Sequence, residues 1–174
     1  MEPDSKSGSA GIRQENQEID ANMTAASLTP LVLVAEDDPD DRLMIGEAFE
    51  ERCTGCQLCF VNDGVELMAH LNNARGKTGR RPDLILLDLN MPRKDGRQTL
   101  ADIKSDPDLR SIPTVILTTS RNEDDIAGCY DLGANSYIVK PTRYSDLLDV
   151  ASSLKHYWVD TVELPFKHER HDKS

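Results

Sequence analysis

Five short apolar runs, each followed by a segment of helical periodicity, constrain this chain more than any other feature. The runs are LVLVA (31–35), QLCFV (57–61), DLILL (83–87), TVIL (114–117) and SYIV (136–139). Between them come DRLMIGEAFEER, DGVELMAHLNNAR, DGRQTLADIKSD and NEDDIAGCYDLG, and RYSDLLDVASSLKHYW follows the last run. Apolar runs without alternation suit strands buried on both faces. Repeated strand–helix alternation is the signature of an α/β fold with a parallel sheet. The pattern predicts a doubly wound five-stranded parallel sheet with helices on both faces and right-handed crossovers. With the strand order 2-1-3-4-5, the second run lies at an edge and the other four are contiguous.

The ends of the chain differ from this body. Residues 1–29 hold no aromatic residue and are rich in Ser, Gly, Asn, Gln and Glu, so they read as a flexible polar tail. The periodic body spans 30–158, and 159–174 reads as an extension, an arm for packing or dimerisation. The net charge of −11, from 31 acidic and 20 basic residues, argues against nucleic-acid binding, which relies on phosphate neutralisation. No apolar run approaches the roughly 20 residues needed to cross a bilayer. The N-terminus carries acids early and has no apolar core, so it is no secretory signal, and a cytoplasmic protein is expected.

Cys53, Cys56 and Cys59 form C-x2-C-x2-C, but a fourth metal ligand is missing, since Cys129 lies far away in sequence. The three straddle a helix end, a turn at Gly55 and a strand, so reduced cysteines acting as small apolar residues are expected. His168 and His171 in HERH lack the spacing of a zinc motif and read as solvated. The basic segment GKTGRRPD (76–83) lacks the first glycine of a phosphate loop, since position 71 is leucine, and it precedes a strand rather than following one.

In open α/β sheets, ligands bind beyond the carboxyl ends of the strands. The residues ending the runs are Glu36 and Asp37 for the first, Asp88 for the third, Thr118 for the fourth and Lys140 for the fifth. The second run ends without a matching group. Three carboxylates brought within a few ångströms need a cation, and hard oxygen ligands favour Mg2+. Beside that ion, Asp88 suits a carboxylate nucleophile toward phosphorus. Thr118 and Lys140 suit a hydroxyl and an amine on phosphoryl oxygens, as phosphoryl transfer requires. Asp38, Asp40 and Asp41 read as a solvated helix N-terminus, favoured by the helix dipole, with Pro39 in the first turn.

The chain resembles the receiver domains of two-component response regulators. The matching residues are EDD after the first run, DLNMP at 88–92, DG at 95–96, LTTS at 117–120 and YIVKP at 137–141, over roughly three-quarters of the chain. As an ordered set they are highly specific. The resemblance implies that Asp88 accepts a phosphoryl group from a phosphohistidine on a sensor histidine kinase. It also implies Mg2+ held by Asp37 and Asp88, with the backbone carbonyl of Asn90 and with Glu36 assisting. It implies a cis peptide before Pro141, aiming Lys140 inward. Tyr137 is either a core aromatic or a rotamer switch that follows Thr118. AEDDPDD, the basic segment before the third strand, NMPRKDGR, LTTS and HYWVDTVELP resemble receivers paired with phytochrome-type kinases, among them bacteriophytochromes. That subclass implies a homodimer through the fourth helix, fifth strand and fifth helix. Thr119 departs from the small residue usual at its position in receivers, which would narrow access to the acceptor.

The last helix carries more apolar residues than one face can bury, and Leu43, Met44 and Ile45 cannot all face the core. The surplus can cover the sheet or form an interface. About sixteen residues follow the last helix, too few for an output domain, so signalling through another protein is expected. Rival readings remain. A Mg2+-dependent aspartyl phosphohydrolase would need a second acid two residues beyond Asp88, where Asn90 stands. A flavodoxin-like carrier would need a phosphate loop after the first strand, where acids stand. A receiver-shaped scaffold working without phosphorylation is the third.

Overall fold

The computed structural model describes residues 29–75 and 79–165. Residues 1–28 of the expected tail (1–29), Gly76–Thr78 of the basic segment, and 166–174 of the expected extension (159–174), with the His168/His171 pair, lie outside the described residues.

The strands are β1 (Leu31–Ala35), β2 (Gln57–Val61), β3 (Leu84–Leu87), β4 (Thr114–Thr118) and β5 (Ser136–Val139). They form one parallel sheet in the order β2-β1-β3-β4-β5. The helices are α1 (Pro39–Arg52), α2 (Gly64–Asn73), α3 (Gly96–Ser105), α4 (Glu123–Asp131) and α5 (Tyr144–Leu154). Helix starts agree with local chemistry. Asp38, Asp63, Asp95 and Asn122 each accept backbone N–H groups as N-caps of α1 to α4, and Pro39 opens α1.

Alternation along the strands divides the core into two layers. Leu33, Ala35, Ile85, Leu87 and Ile116 point to one face, where Leu67, Leu71, Leu100, Ile103 and Cys129 from α2, α3 and α4 cover them. Val32, Val34, Leu84, Leu86, Val115 and Leu117 point to the other, under Ile45, Ala48 and Phe49 of α1 and Leu147, Ala151 and Leu154 of α5. Of the crowded trio on α1, Ile45 is buried, whereas Leu43 is 61% exposed and Met44 38%.

Three expectations need correction. The α-helical part of the last helix stops at Leu154 and continues as a π-helical segment, Lys155–Thr161. Contacts five residues apart follow that wider pitch: Lys155 Nζ to Asp160 at 2.8 Å, and Thr161 Oγ1 donating to the His156 carbonyl at 2.6 Å. Leu148, Val150, Trp158 and Val159 pack at the edge of the core, while Tyr144 and Tyr157 remain exposed.

Cys53 and Cys56 are joined as a disulfide rather than standing as separate thiols. The turn that follows α1, with Gly55 at φ 93°, folds the chain back, and the Cys56 N–H donates to the Cys53 carbonyl at 3.0 Å. The resulting Cα separation of 5.6 Å lies within disulfide range. Cys59 and Cys129 are free thiols, and burial pushes the Cys129 thiol up. Finally, no peptide among the described residues is cis, so the Lys140–Pro141 bond is trans. The Lys140 N–H donates to the Thr118 carbonyl at 2.7 Å, which anchors the residue at the sheet end, and its long stem reaches the acids from there.

Candidate functional site

Backbone bonds extend the sheet past its strands and place the polar residues. The Glu36 N–H donates to the Val61 carbonyl at 3.0 Å and the Asp88 N–H to the Ala35 carbonyl at 3.1 Å. With Lys140 tied to Thr118, the residues ending β1, β3, β4 and β5 share one end of the sheet. Gly96 opens α3 against the backbone of Asp88, and a Cβ there would collide with the Asp88 carbonyl. Only glycine permits that approach.

The side chains converge as the sequence predicts. Carboxylate oxygens of Glu36, Asp37 and Asp88 lie within 4.8 Å of one another. Glu36 and Asp88 are buried and Asp37 is exposed, so the cluster opens to solvent on one side. Like charges at that spacing repel, and three oxygen donors around one point suit a hard divalent cation. Lys140 faces the acids: its Nζ lies 2.5 Å from Glu36 Oε2, 2.7 Å from Asp41 Oδ2 and 3.5 Å from Asp88 Oδ2. Burial alone would depress the ammonium, but the bonds to Asp41 and Glu36 and the charge of Asp88 outweigh it and hold Lys140 above its ordinary value. Burial pushes the Glu36 carboxyl up, against the pull of Lys140.

Asn90 is exposed, and its N–H donates to Asp88 Oδ1 at 3.4 Å. Thr118 is fully buried, and its hydroxyl accepts the Ser120 N–H at 3.5 Å. Tyr137 is half-buried against the core and donates its hydroxyl to the Ser120 carbonyl at 3.1 Å, with burial raising its pKa. Thr118 and Tyr137 thus meet at Ser120. Ser120 Oγ in turn donates to Asp125 of α4 at 2.6 Å, and Asp125 accepts from Arg97 Nε of α3 at 2.9 Å. Thr119 is exposed.

Two acids depart from their expected places or were not singled out. Asp41 is no solvated helix-start acid, because it pairs with Lys140. Once the structure selects Ile45 as the buried member of the trio, the four-residue spacing accounts for the pairing: Asp41 and Ile45 lie on the same inner face of α1. Asp63, the buried N-cap of α2, pairs with Arg93 in the loop after Asp88. Arg93 has φ 63°, a left-handed conformation uncommon outside glycine. This pair, with Glu66 at 3.3 Å from Arg93, fastens that loop to α2.

A family model described as response regulator receiver domain matches residues 32–152. Response regulator Rcp1 of Synechocystis sp. is 40% identical over 136 residues, covering 78% of this chain and 92% of Rcp1. Among solved structures, the phosphorylated cyanobacterial phytochrome response regulator RcpA is similar at TM-score 0.73 and 44% identity, over 79% of this chain and 99% of RcpA. Response regulator RPA3017 in red light signaling of R. palustris follows at TM-score 0.73 and 35% identity, over 79% of this chain and 99% of its own. The crowded acids, the lysine among them and the 2-1-3-4-5 sheet therefore sit in a chain that belongs to the response regulator receiver domain family.

Proposed function

We propose that this chain is a phosphoacceptor response regulator in which Asp88 takes a phosphoryl group from a sensor histidine kinase of the phytochrome type. The observation that carries this reading is the Lys140 ammonium set among Glu36, Asp41 and Asp88, with Asp37 in the same acid cluster. In the transfer, an Asp88 carboxylate oxygen attacks phosphorus. The P–N bond to the donor imidazole breaks, and its electron pair stays on that nitrogen, which takes up a proton. An acyl phosphate remains on Asp88, and attack of water on phosphorus later restores the carboxylate.

Asp37 and Asp88 would hold Mg2+, assisted by Glu36 and the Asn90 carbonyl; a related protein, Rcp1, has been solved in an Mn(2+)-bound form. The bound ion supplies charge neutralisation on the phosphoryl oxygens. Lys140 neutralises another oxygen and the Thr118 hydroxyl donates to a third. Thr118 and Tyr137 are the switch. Movement of Thr118 toward the phosphoryl group alters the Ser120 backbone, and Tyr137 is bonded to that same residue.

Kinship with phytochrome response regulators supports the partner. A receiver over 30–158, flanked by a tail (1–29) and an arm (159–174), would work in the cytoplasm and dimerise through α4, β5 and α5. The test is intact mass after incubation with acetyl phosphate, with and without Mg2+. A Mg2+-dependent gain of one phosphoryl unit is expected. No gain, followed by none from a phosphorylated histidine kinase, would overturn the reading.

A further inference from the structure

Asp41 is the acid that the phosphoryl chemistry leaves unused. Its Oδ2 lies 2.7 Å from Lys140 Nζ, yet it is not one of the three acids whose oxygens cluster within 4.8 Å. Among the described residues its carboxylate is bonded to the lysine alone. An ammonium has three N–H groups, and three carboxylates surround this one. The two nearer, Glu36 at 2.5 Å and Asp41, hold it to one side of Asp88, which is 3.5 Å away. A phosphoryl group on Asp88 calls on the same ammonium. A cavity of about 270 Å³, lined by Asp41, Met44, Thr119, Lys140 and Pro141, lies beside the pair and leaves the lysine room to shift.

We propose that Asp41 is a positioning residue that acts through Lys140, competing with the phosphoryl oxygens for its ammonium. In the resting protein Asp41 draws positive charge away from the carboxylates that would hold the metal, which favours metal entry. In the phosphorylated protein it opposes the Lys140–phosphoryl contact, which weakens the phosphoryl-bound state. The two effects have opposite signs, and both pass through one side chain. The inference rests on Asp88 being the phosphoacceptor.

The test titrates Mg2+, then beryllofluoride at saturating Mg2+, into the full chain by calorimetry. Asp41→Asn is compared with Asp40→Asn, which removes the same charge from an exposed neighbour that does not touch Lys140. Asp41→Asn should bind Mg2+ about two- to fivefold more weakly than Asp40→Asn and beryllofluoride about two- to fivefold more tightly, the size of one partly screened ion pair. Asp41→Glu, which keeps the carboxylate, should return both affinities toward wild type. On a Lys140→Ala background the Mg2+ difference between the two Asn variants should vanish. Equal behaviour of Asp41→Asn and Asp40→Asn, or a Mg2+ difference that survives without Lys140, overturns the inference alone. A wild-type protein that ignores beryllofluoride with Mg2+ bound overturns the phosphoacceptor reading, and this inference with it.

Discussion

Asp83 and Asp88 flank the same strand, β3, and are buried alike, at 5% and 6% exposure. Their surroundings differ. At the amino end, Asp83 accepts the Leu31 N–H at 2.8 Å and pairs with Arg80 at 3.4 Å. At the carboxyl end, Asp88 has the Asn90 N–H at 3.4 Å and a third share of Lys140 at 3.5 Å, beside a second buried acid, Glu36. The hydroxyls of the next strand differ in the same direction, though less. Thr114 Oγ1, at the start of β4, donates to the Ile112 carbonyl at 3.2 Å; Thr118 Oγ1, at the end, accepts the Ser120 N–H at 3.5 Å. Buried polar groups with close partners are spent on stability. Those whose partners stand at the edge of bonding range retain capacity for a ligand. One end of this sheet ties its buried polar groups closely into the fold, and the other leaves them the capacity that the proposed phosphoryl transfer calls on.

The sharpest challenge to that contrast is a pair of substitutions at the two aspartates. Asp88→Asn should abolish the acetyl phosphate mass gain while leaving the thermal midpoint unchanged or higher, since it relieves repulsion with Glu36. Asp83→Ala should do the reverse, costing about 1–3 kcal/mol in urea titrations by removing the acceptor of the buried Leu31 N–H, with phosphorylation retained. If both variants lose stability equally, the two ends do not differ.

Asp63 widens the comparison: it is a third buried aspartate, and like Asp83 it has close partners. Burial would raise its pKa, but the Glu66 N–H and the Arg93 guanidinium lower it overall. Asp63→Ala should cost about 1–2 kcal/mol as a lost helix cap. A depressed folded pKa gives stabilisation that is present above the unfolded value of about 3.9 and is lost as pH falls through the folded value. The gap in thermal midpoint between wild type and Asp63→Ala should therefore hold from neutral pH to about 4 and close below it. The smallest effect separates the threonines. Thr114→Val should cost about 1 kcal/mol, whereas Thr118→Val should be nearly neutral for folding and shorten the lifetime of the phosphorylated state.

Much of this was legible in the chain itself because it depends on neighbours in sequence. The apolar runs mark buried strands, and the caps at Asp38, Asp63, Asp95 and Asn122 act over two or three residues. Strand order then brings Glu36, Asp37, Asp88, Thr118 and Lys140 to one end, whatever their rotamers. The π-helical Lys155–Thr161 segment and the trans Lys140–Pro141 peptide were not legible, because periodicity reports which residues are apolar and not the pitch of a turn or the isomer of a bond.

The sequence by itself determined the sheet, its layers and the residue types at its carboxyl end, since burial patterns and turn chemistry are short-range. Only the tertiary structure decided how those groups pair. Asp41 meets Lys140 across 99 residues of chain, and Asp63 meets Arg93 across 30. Whether Asp41 faces water or the lysine depends on how α1 is rotated against the sheet, which packing of Ile45, Ala48 and Phe49 sets. Cys53 and Cys56 needed no distant partner, only the fold-back at Gly55, a backbone turn whose direction the C-x2-C spacing leaves open.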